Sequence, residues 1–231
     1  SLVKEEPVKI IEVKDTVVKE GKEEAIKEIS NKLDSIEQKA DEVFEKLKKK
    51  HPFFKAVQRF PAIENNNGSI GCCSSHIAAI QKCKELDGDV FMICEDDLII
   101  FNEQNFDSMV NTLDITADWD VLTLTPRGDS MPNEDLPNNY IRIKNNQTAT
   151  AYLIKRHMID ILLETLQFGL DQMKLGGNTD YFACDQSWKK LQTPYKFYYY
   201  KNIFAGQLEG FSDIEKRLVN YNERFKNQYI H

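Results

Sequence analysis

Residues 90–101 read VFMICEDDLIIF, an apolar run that is interrupted by three consecutive carboxylates and then resumes. Continuous apolar runs of this length suit strands that are buried on both faces of a sheet. Predicted strands at 120–124 and 196–200 alternate with predicted helices at 75–86 and 157–166. This alternation predicts an α/β fold around a mostly parallel central sheet.

The carboxylates of Glu95, Asp96 and Asp97 are costly between apolar flanks, because unpaired charges out of water lose several kcal/mol each. Side chains alternate along a strand, so Glu95 and Asp97 are expected to share one face and Asp96 the other. Two carboxylates on one side suit Mg²⁺ or Mn²⁺, with phosphate oxygens and water completing the coordination. The alternative is a helix cap or a solvated turn that binds no metal.

A second segment combines glycines, serines and a histidine. Gly68-Ser69-Ile70-Gly71 allows a tight turn, and Ser74 or Ser75 could cap the helix that follows. A capped helix start presents free N–H groups to an anion such as a phosphate. The alternative is an ordinary loop–helix junction in which His76 is hydrogen-bonded locally.

The first 52 residues form a predicted N-terminal extension that precedes a domain spanning residues 53–231. Residues 8–13 are predicted to form a strand. Apolar residues recur at steps of three and four from residue 22 to 50, which predicts a helix ended by His51-Pro52. This helix either packs on its own domain or pairs with a second copy to make a homodimer, and the run is too short to separate the two.

Size and charge exclude several classes. The chain has 231 residues, 41% of them hydrophobic, and a net charge of −7. Such a surface repels phosphate backbones, which argues against nucleic-acid binding. No apolar run reaches the about 18 residues that span a bilayer. We therefore expect a cytoplasmic protein without a membrane span, with a lumenal or virion location left open if the chain is trimmed.

The cysteines favour a reducing compartment. They are Cys72, Cys73, Cys83, Cys94 and Cys184, and no two of them form a Cys-x-x-Cys pair. An odd number in apolar surroundings predicts buried reduced thiols instead of a disulfide framework.

Several short motifs follow one another in a characteristic order over about two-thirds of the chain. They are Arg59-Phe60-Pro61-Ala62-Ile63, Gly68-x-x-Gly71-Cys72-x-x-Ser75-His76, Glu95-Asp96-Asp97, Asp118-Trp119-Asp120-Val121-Leu122, Ala151-Tyr152-Leu153-Ile154, Gln207 and Ser212-Asp213-Ile214. Through them the chain resembles glycosyltransferase family 25, the lipooligosaccharide and collagen galactosyltransferase group.

The resemblance implies a GT-A fold, the Rossmann-like fold of nucleotide-diphospho-sugar transferases. It also implies Mn²⁺ (or Mg²⁺), a UDP-sugar donor, inversion at the anomeric carbon, and transfer of galactose or glucose to a hydroxyl of a glycan or collagen-like acceptor. By analogy the metal ligands are Glu95, Asp97 and Asp213, although Asp213 could instead cap a helix. Residues expected to contact the donor are Gly71, Ser75, His76, Asp96, Gln207 and Ser212.

One departure from the family concerns the N-terminal strand. Family members open with a strand ending in Asn-Leu, followed by arginines that help to hold the donor. Here residues 8–13 run into Lys14-Asp15 with no arginine nearby. This difference bears on the identity of the donor more than on the fold.

An inverting transfer needs a base that takes the proton of the acceptor hydroxyl. Asp185 is the first candidate and Asp180 the second, since both follow the Gly176-Gly177 loop near a predicted helix start. Either could instead only cap that helix. The polar segment 127–139 is a candidate lid.

Two other function classes stay open. A module that binds nucleotide and metal without catalysis would carry the same motifs. An interaction protein would instead depend on the heptad-patterned helix. The binding module is expected to bind UDP but to release no sugar. The interaction protein is expected to lose its assembly when residues 1–50 are deleted.

Overall fold

The computed structural model describes residues 42, 45–46, 48–51, 54, 57–58, 60–130, 139–212 and 217–220. The predicted strand at 8–13 and residues 22–41 of the heptad-patterned segment lie outside this part of the chain. Residues 48–50 are helical and His51 is not, as predicted from the following proline. The His51 ring packs edge-on against Phe106, with centroids 4.7 Å apart. The end of the extension therefore contacts the domain.

The described helices and strands alternate for most of the chain. The helices are α1 (Gly68–Cys83), α2 (Glu103–Thr112), α3 (Met158–Lys174), α4 (Thr179–Phe182) and α5 (Cys184–Ser187), followed by a 3-10 helix at Trp188–Leu191. The strands are β1 (Val90–Cys94), β2 (Leu98–Ile100), β3 (Val121–Thr123), β4 (Arg127–Ser130), β5 (Tyr140–Gln147), β6 (Ala151–Lys155), β7 (Phe197–Tyr200), β8 (Ala205–Gln207), β9 (Gly210–Ser212) and β10 (Arg217–Val219).

Six strands form a mixed sheet in the order β1-β6-β3-β7-β5-β4. Only β3 and β7 are parallel neighbours among these strands, and the other four neighbouring pairs are antiparallel. The expectation of a mostly parallel sheet was therefore wrong for the described strands. The reasons are β6, which returns between β1 and β3 and runs against both, and β5, which runs against β7 and β4. Since β1, β3 and β7 still run in one direction, their carboxyl ends lie at one edge.

Alternating side chains of the sheet build two cores. In β3, Val121 points to the core formed with α1 and α3, and Leu122 to the core formed with α2. In β6, Tyr152 points to the core formed with α1 and α3, and Ala151 points to the core formed with α2. The chain is thus an α/β fold with helices on both faces of the sheet. Trp119, Trp188 and the tyrosines of β7 are core residues here, buried to 6% exposure or less.

The start of α1 differs from the prediction. The helix begins at Gly68 instead of near Ser75, and its cap is Asn67, whose side chain accepts from the N–H groups of Ser69 and Ile70. Ser75 lies inside the helix and donates its hydroxyl to the Gly71 carbonyl, 2.9 Å away. Neither Ser74 nor Ser75 is the cap. Gly68 and Gly71 therefore lie in the first turn of the helix, which Asn67 caps.

Helix α3 is longer than predicted, and the next helix is broken. α3 continues to Lys174, past Gly169, and ends where Gly176 takes a φ of 89°. A Cβ on Gly169 would lie 2.6 Å from the Phe182 carbonyl, so glycine is needed for the close approach. Residues 181–191 do not form one continuous helix, because the chain is interrupted at Ala183, whose ψ of 159° is extended.

One further prediction is corrected, that of a loop beginning at Arg127. Arg127–Ser130 is strand β4 paired with β5, so the predicted loop 127–139 does not begin at Arg127, and residues 131–138 lie outside the described residues. Arg217–Val219 pairs with β9 as a strand. Residues 57, 58 and 60 belong to neither a helix nor a strand.

Candidate metal and donor site at the acidic turn

The three carboxylates form a turn directly after β1, at the edge where β1, β3 and β7 end. The N–H of Glu95 donates to the carbonyl of Thr150 at 2.7 Å. On the other side, the Asp97 carbonyl accepts from the N–H of Leu208, also at 2.7 Å. Main-chain hydrogen bonds to two distant segments therefore hold the turn at both ends.

Glu95 and Asp97 meet at the amide of Gln207. The antiparallel pairing of β2 with β8 places Leu98 opposite Gln207. The Gln207 amide nitrogen Nε2 lies 3.3 Å from Glu95 Oε2 and 3.2 Å from Asp97 Oδ2. The two carboxylates thus lie on the same side, as expected from the sequence, and Asp96 is exposed.

The charge of this pair is poorly compensated. Burial, and then the negative charges of Glu95 and Asp96, raise the pKa of Asp97 well above its ordinary value. Burial also acts to raise the pKa of Glu95, but the hydrogen bond and charge of His76 outweigh it and the pKa lies below its ordinary value. No lysine or arginine in the described part of the chain forms an ion pair with either carboxylate.

One oxygen of the pair has no donor among the described residues. Asp97 Oδ1 is buried and lacks a hydrogen-bond partner in this part of the chain. Such an oxygen is costly unless a donor or cation satisfies it. Two hard carboxylates, an unpartnered buried oxygen and a nearby side-chain amide fit the ligand preferences of Mn²⁺ or Mg²⁺. The residues present therefore fit a divalent cation.

Glu95 also contacts α1 through its other oxygen. Oε1 lies 3.2 Å from His76 Nε2 and 3.9 Å from Cys72 Sγ. His76 is buried, and its Nδ1 lies 3.0 Å from the hydroxyl of Tyr152. Burial, and then the charges of Glu95 and Asp185, raise the pKa of the Cys72 thiol well above its ordinary value.

Asp185 lies close enough to act on the same cluster electrostatically. It is half-buried in α5, and its Oδ2 accepts from the backbone N–H of Thr148 at 3.0 Å. Its Oδ1 lies 3.3 Å from the Gln186 amide nitrogen. Thr148 has a φ of 93°, a left-handed conformation that is rare for a β-branched residue. Asp185 therefore holds a strained segment two residues before Thr150, the acceptor for Glu95.

Asp180, the second predicted base, is on the exposed first turn of α4. The cap of that helix is Asn178, which accepts from the Asp180 N–H at 2.9 Å. No hydrogen bond or ion pair joins the Asp180 side chain to the acidic turn within the described residues. Of the two candidates, only Asp185 is placed near the cluster.

Two other residues that were expected to contact the sugar donor, Gly71 and Ser75, instead contact neighbouring parts of the chain. The Ser75 hydroxyl accepts from the Ile63 N–H at 2.8 Å, and a Cβ on Gly71 would lie 2.9 Å from the Ile63 carbonyl. Both positions hold the segment before α1 against the helix. Ser212 ends β9, and Asp213 lies outside the described residues.

The sequence prediction did not identify Cys72, Tyr152 and Thr148 as parts of the site. The spacing of Cys72 and His76, four residues apart on a helix, is a signal that could have found the first. All five cysteines are free thiols; Cys73, Cys83 and Cys184 are buried, as expected, whereas Cys72 and Cys94 are only partly buried. No described helix combines the length and apolar composition needed to cross a membrane.

No family model matches the chain, and no curated protein matches it closely enough to show a relationship.

Proposed function

We propose that this protein is a metal-dependent glycosyltransferase of GT-A fold that moves a sugar from a UDP-sugar to a hydroxyl group, with inversion. One observation carries the proposal: two carboxylates converge at the carboxyl ends of parallel-running strands, and Asp97 keeps a buried oxygen without a donor. Ligands of α/β proteins bind at this edge of the sheet. The resemblance to family 25 supplies the reaction class.

Glu95 and Asp97 would hold the cation. A bound divalent cation acts as a Lewis acid that stabilises the charge developing on the leaving diphosphate. The negative cluster itself would repel a diphosphate, so the donor depends on that cation for neutralisation. Gln207 lies between the two carboxylates and positions them, and its amide is free to turn its oxygen toward a cation instead of its nitrogen.

Asp185 is proposed to take the proton of the acceptor hydroxyl. Each of its oxygens accepts one hydrogen bond, from Thr148 or Gln186, and each keeps a second lone pair. The Thr148 N–H orients the carboxylate through a hydrogen bond of 3.0 Å. A positioned base of this kind contributes about 10²–10⁴-fold to a rate.

The test is release of UDP from UDP-galactose, UDP-glucose and UDP-N-acetylglucosamine, each measured with Mn²⁺ and with EDTA. Wild type is compared with Asp97→Asn, which keeps the size of the side chain and removes its charge. Asp87→Asn is the matched control, since Asp87 is an exposed residue in the turn after α1. The proposal expects wild type and Asp87→Asn to release UDP from one of the three UDP-sugars. This release should be lost when EDTA is added and in Asp97→Asn.

Other outcomes separate the alternatives. Mn²⁺-dependent UDP binding without release, even when glycan and hydroxylysine-containing acceptors are supplied, would favour the non-catalytic binding module. Release that is undiminished by EDTA or by Asp97→Asn would refute the metal assignment.

A further inference from the structure

The two oxygens of Glu95 face chemically different groups. Oε2 lies toward the hard ligands, at 3.3 Å from the amide of Gln207 that also contacts Asp97. Oε1 lies toward a thiol and an imidazole, Cys72 and His76. The proposed donor site uses the first set only, and the second set has no role in it.

Cys72 and His76 are presented by one helix. They are four residues apart on α1, so their side chains are neighbours on the same face. A helix with two ligands at this spacing is a common metal-binding arrangement. α1 is held in place by its Asn67 cap and by its packing against α3 and β1. The two side chains therefore meet Glu95 from a fixed direction.

The distance between His76 and Glu95 matches that between two ligands of one tetrahedral zinc ion, and the Cys72 thiol lies slightly farther away than the ideal. With Zn–S of about 2.3 Å and Zn–N and Zn–O of about 2.0–2.1 Å, neighbouring N and O ligands lie about 3.3 Å apart and S and O ligands about 3.5 Å apart. Here His76 Nε2 and Cys72 Sγ lie 3.2 and 3.9 Å from Glu95 Oε1. All three ligand atoms lie within 4.8 Å of one another.

The imidazole of His76 is oriented by a buried partner. Nδ1 lies 3.0 Å from the hydroxyl of Tyr152, and the two rings stack with centroids 5.8 Å apart. A metal at this position would displace the proton that Nε2 shares with Glu95 in the metal-free protein, and Nδ1 would then donate to the Tyr152 hydroxyl. Outer hydrogen bonds of this kind are a regular part of zinc sites.

We propose that Cys72 Sγ, His76 Nε2 and Glu95 Oε1 form a binding site for a thiophilic divalent cation, Zn²⁺, with a fourth position open to water or a ligand. Mn²⁺ and Mg²⁺ prefer oxygen ligands, whereas thiolate and imidazole select zinc. The carboxylate of Glu95 bridges this site to the hard-ligand pair. The inference stands on these three residues and does not depend on the proposed transferase activity.

The direct test uses Co²⁺, which replaces zinc and reports thiolate ligation through a charge-transfer absorption band. Reduced protein freed of metal by a chelator is titrated with Co²⁺, and Zn²⁺ is then added. We expect one equivalent of Co²⁺ to give the band and Zn²⁺ to abolish it. Cys72→Ser should lose the band. Cys94→Ser should keep it, because Cys94 is another half-buried thiol that packs against the opposite core.

Zinc affinity is then measured by competition with a chromophoric chelator. Cys72→Ser is expected to weaken Zn²⁺ binding by at least about 100-fold, and Tyr152→Phe by about 10-fold, the range typical of an outer-sphere change. Asp97→Asn should leave Zn²⁺ bound, because Asp97 is not one of the three ligands. No step needs a nucleotide sugar, so failure of the transferase proposal would not move these results.

Three results would overturn the site. They are no charge-transfer band in wild type, the same band in Cys72→Ser, or Zn²⁺ binding that depends on Asp97 and not on Cys72. If Cys72→Ser does not fold, the site can still be tested on the wild-type protein by alkylation of Cys72. Zn²⁺ is expected to protect Cys72 from iodoacetamide, read by peptide mass spectrometry, and unprotected alkylation would refute the site.

Discussion

Neutralising Asp97 is expected to stabilise the metal-free protein. Glu95 Oε2 and Asp97 Oδ2 both contact one nitrogen, so they are at most about 6.5 Å apart. At an effective dielectric constant of about 20, two full charges at that distance repel by about 2.5 kcal/mol. The raised pKa of Asp97 favours its uncharged form, which reduces this repulsion, and we expect Asp97→Asn to gain about 1–2 kcal/mol in EDTA. For a chain of this size the melting temperature would rise by about 2–8 °C.

Mn²⁺ should reverse the order of stability. At a concentration 100-fold above its dissociation constant, a ligand stabilises the folded state by about 2.7 kcal/mol. Wild type is expected to gain that amount, and Asp97→Asn little of it. Asp96→Asn is the matched variant: Asp96 is adjacent but exposed, so a smaller gain in EDTA and a full response to Mn²⁺ are expected.

The effect of Asp97 also depends on pH. Because the folded pKa of Asp97 is raised, the protonated carboxyl favours folding, and this contribution is lost as pH rises from about 3.9 through the folded value. The advantage of Asp97→Asn in EDTA should therefore grow with pH. Thermal unfolding with EDTA and with Mn²⁺ at several pH values measures all three effects. Destabilisation by Asp97→Asn in EDTA, or an equal response to Mn²⁺, would refute the reasoning.

Three further changes test other parts of the chain. Asp185→Asn is expected to lower turnover at least about 100-fold with UDP binding nearly intact, and a mild loss, or a larger loss in Asp180→Asn, would refute its role as base. Burial raises the pKa of Tyr140 to about 12 in the folded protein. Because this tyrosine ionises at lower pH in the unfolded chain, about 1–2 kcal/mol of the free energy of unfolding should be lost above about pH 10. Tyr140→Phe should lack that loss in urea unfolding, and an unchanged pH profile would contradict this. Asn67→Ala should cost about 1 kcal/mol in the same assay through loss of the α1 cap, whereas the exposed neighbour Asn66→Ala should change stability by less than about 0.5 kcal/mol.

The elements with a strong local pattern were predictable from the sequence. Strand β1 has the predicted bounds, because its five apolar residues are followed at once by charge. The convergence of Glu95 and Asp97 was also expected, since both follow that strand two residues apart. These features depend on short stretches of chain, where burial and side-chain alternation act directly.

The partners of the acidic turn could not be predicted in the same way. Gln207 reaches Asp97 across 110 residues through the pairing of β2 with β8, two strands of three residues each. Such short strands carry no readable period, and their pairing is decided by tertiary packing. The direction of β6 has the same origin. The alternation of elements does not show that this strand returns between β1 and β3.

The conformation of Thr148, between β5 and β6, lowers the stability of the protein while it helps to position residues of the candidate site. A β-branched residue with a φ of 93° costs about 1–3 kcal/mol relative to a relaxed backbone, and glycine would adopt this conformation freely. The hydrogen bond to Asp185 holds this conformation two residues before Thr150, whose carbonyl accepts from the Glu95 N–H. Selection for thermal tolerance alone would relax this segment, so a laboratory evolution experiment that rewards only heat resistance should accumulate changes here first.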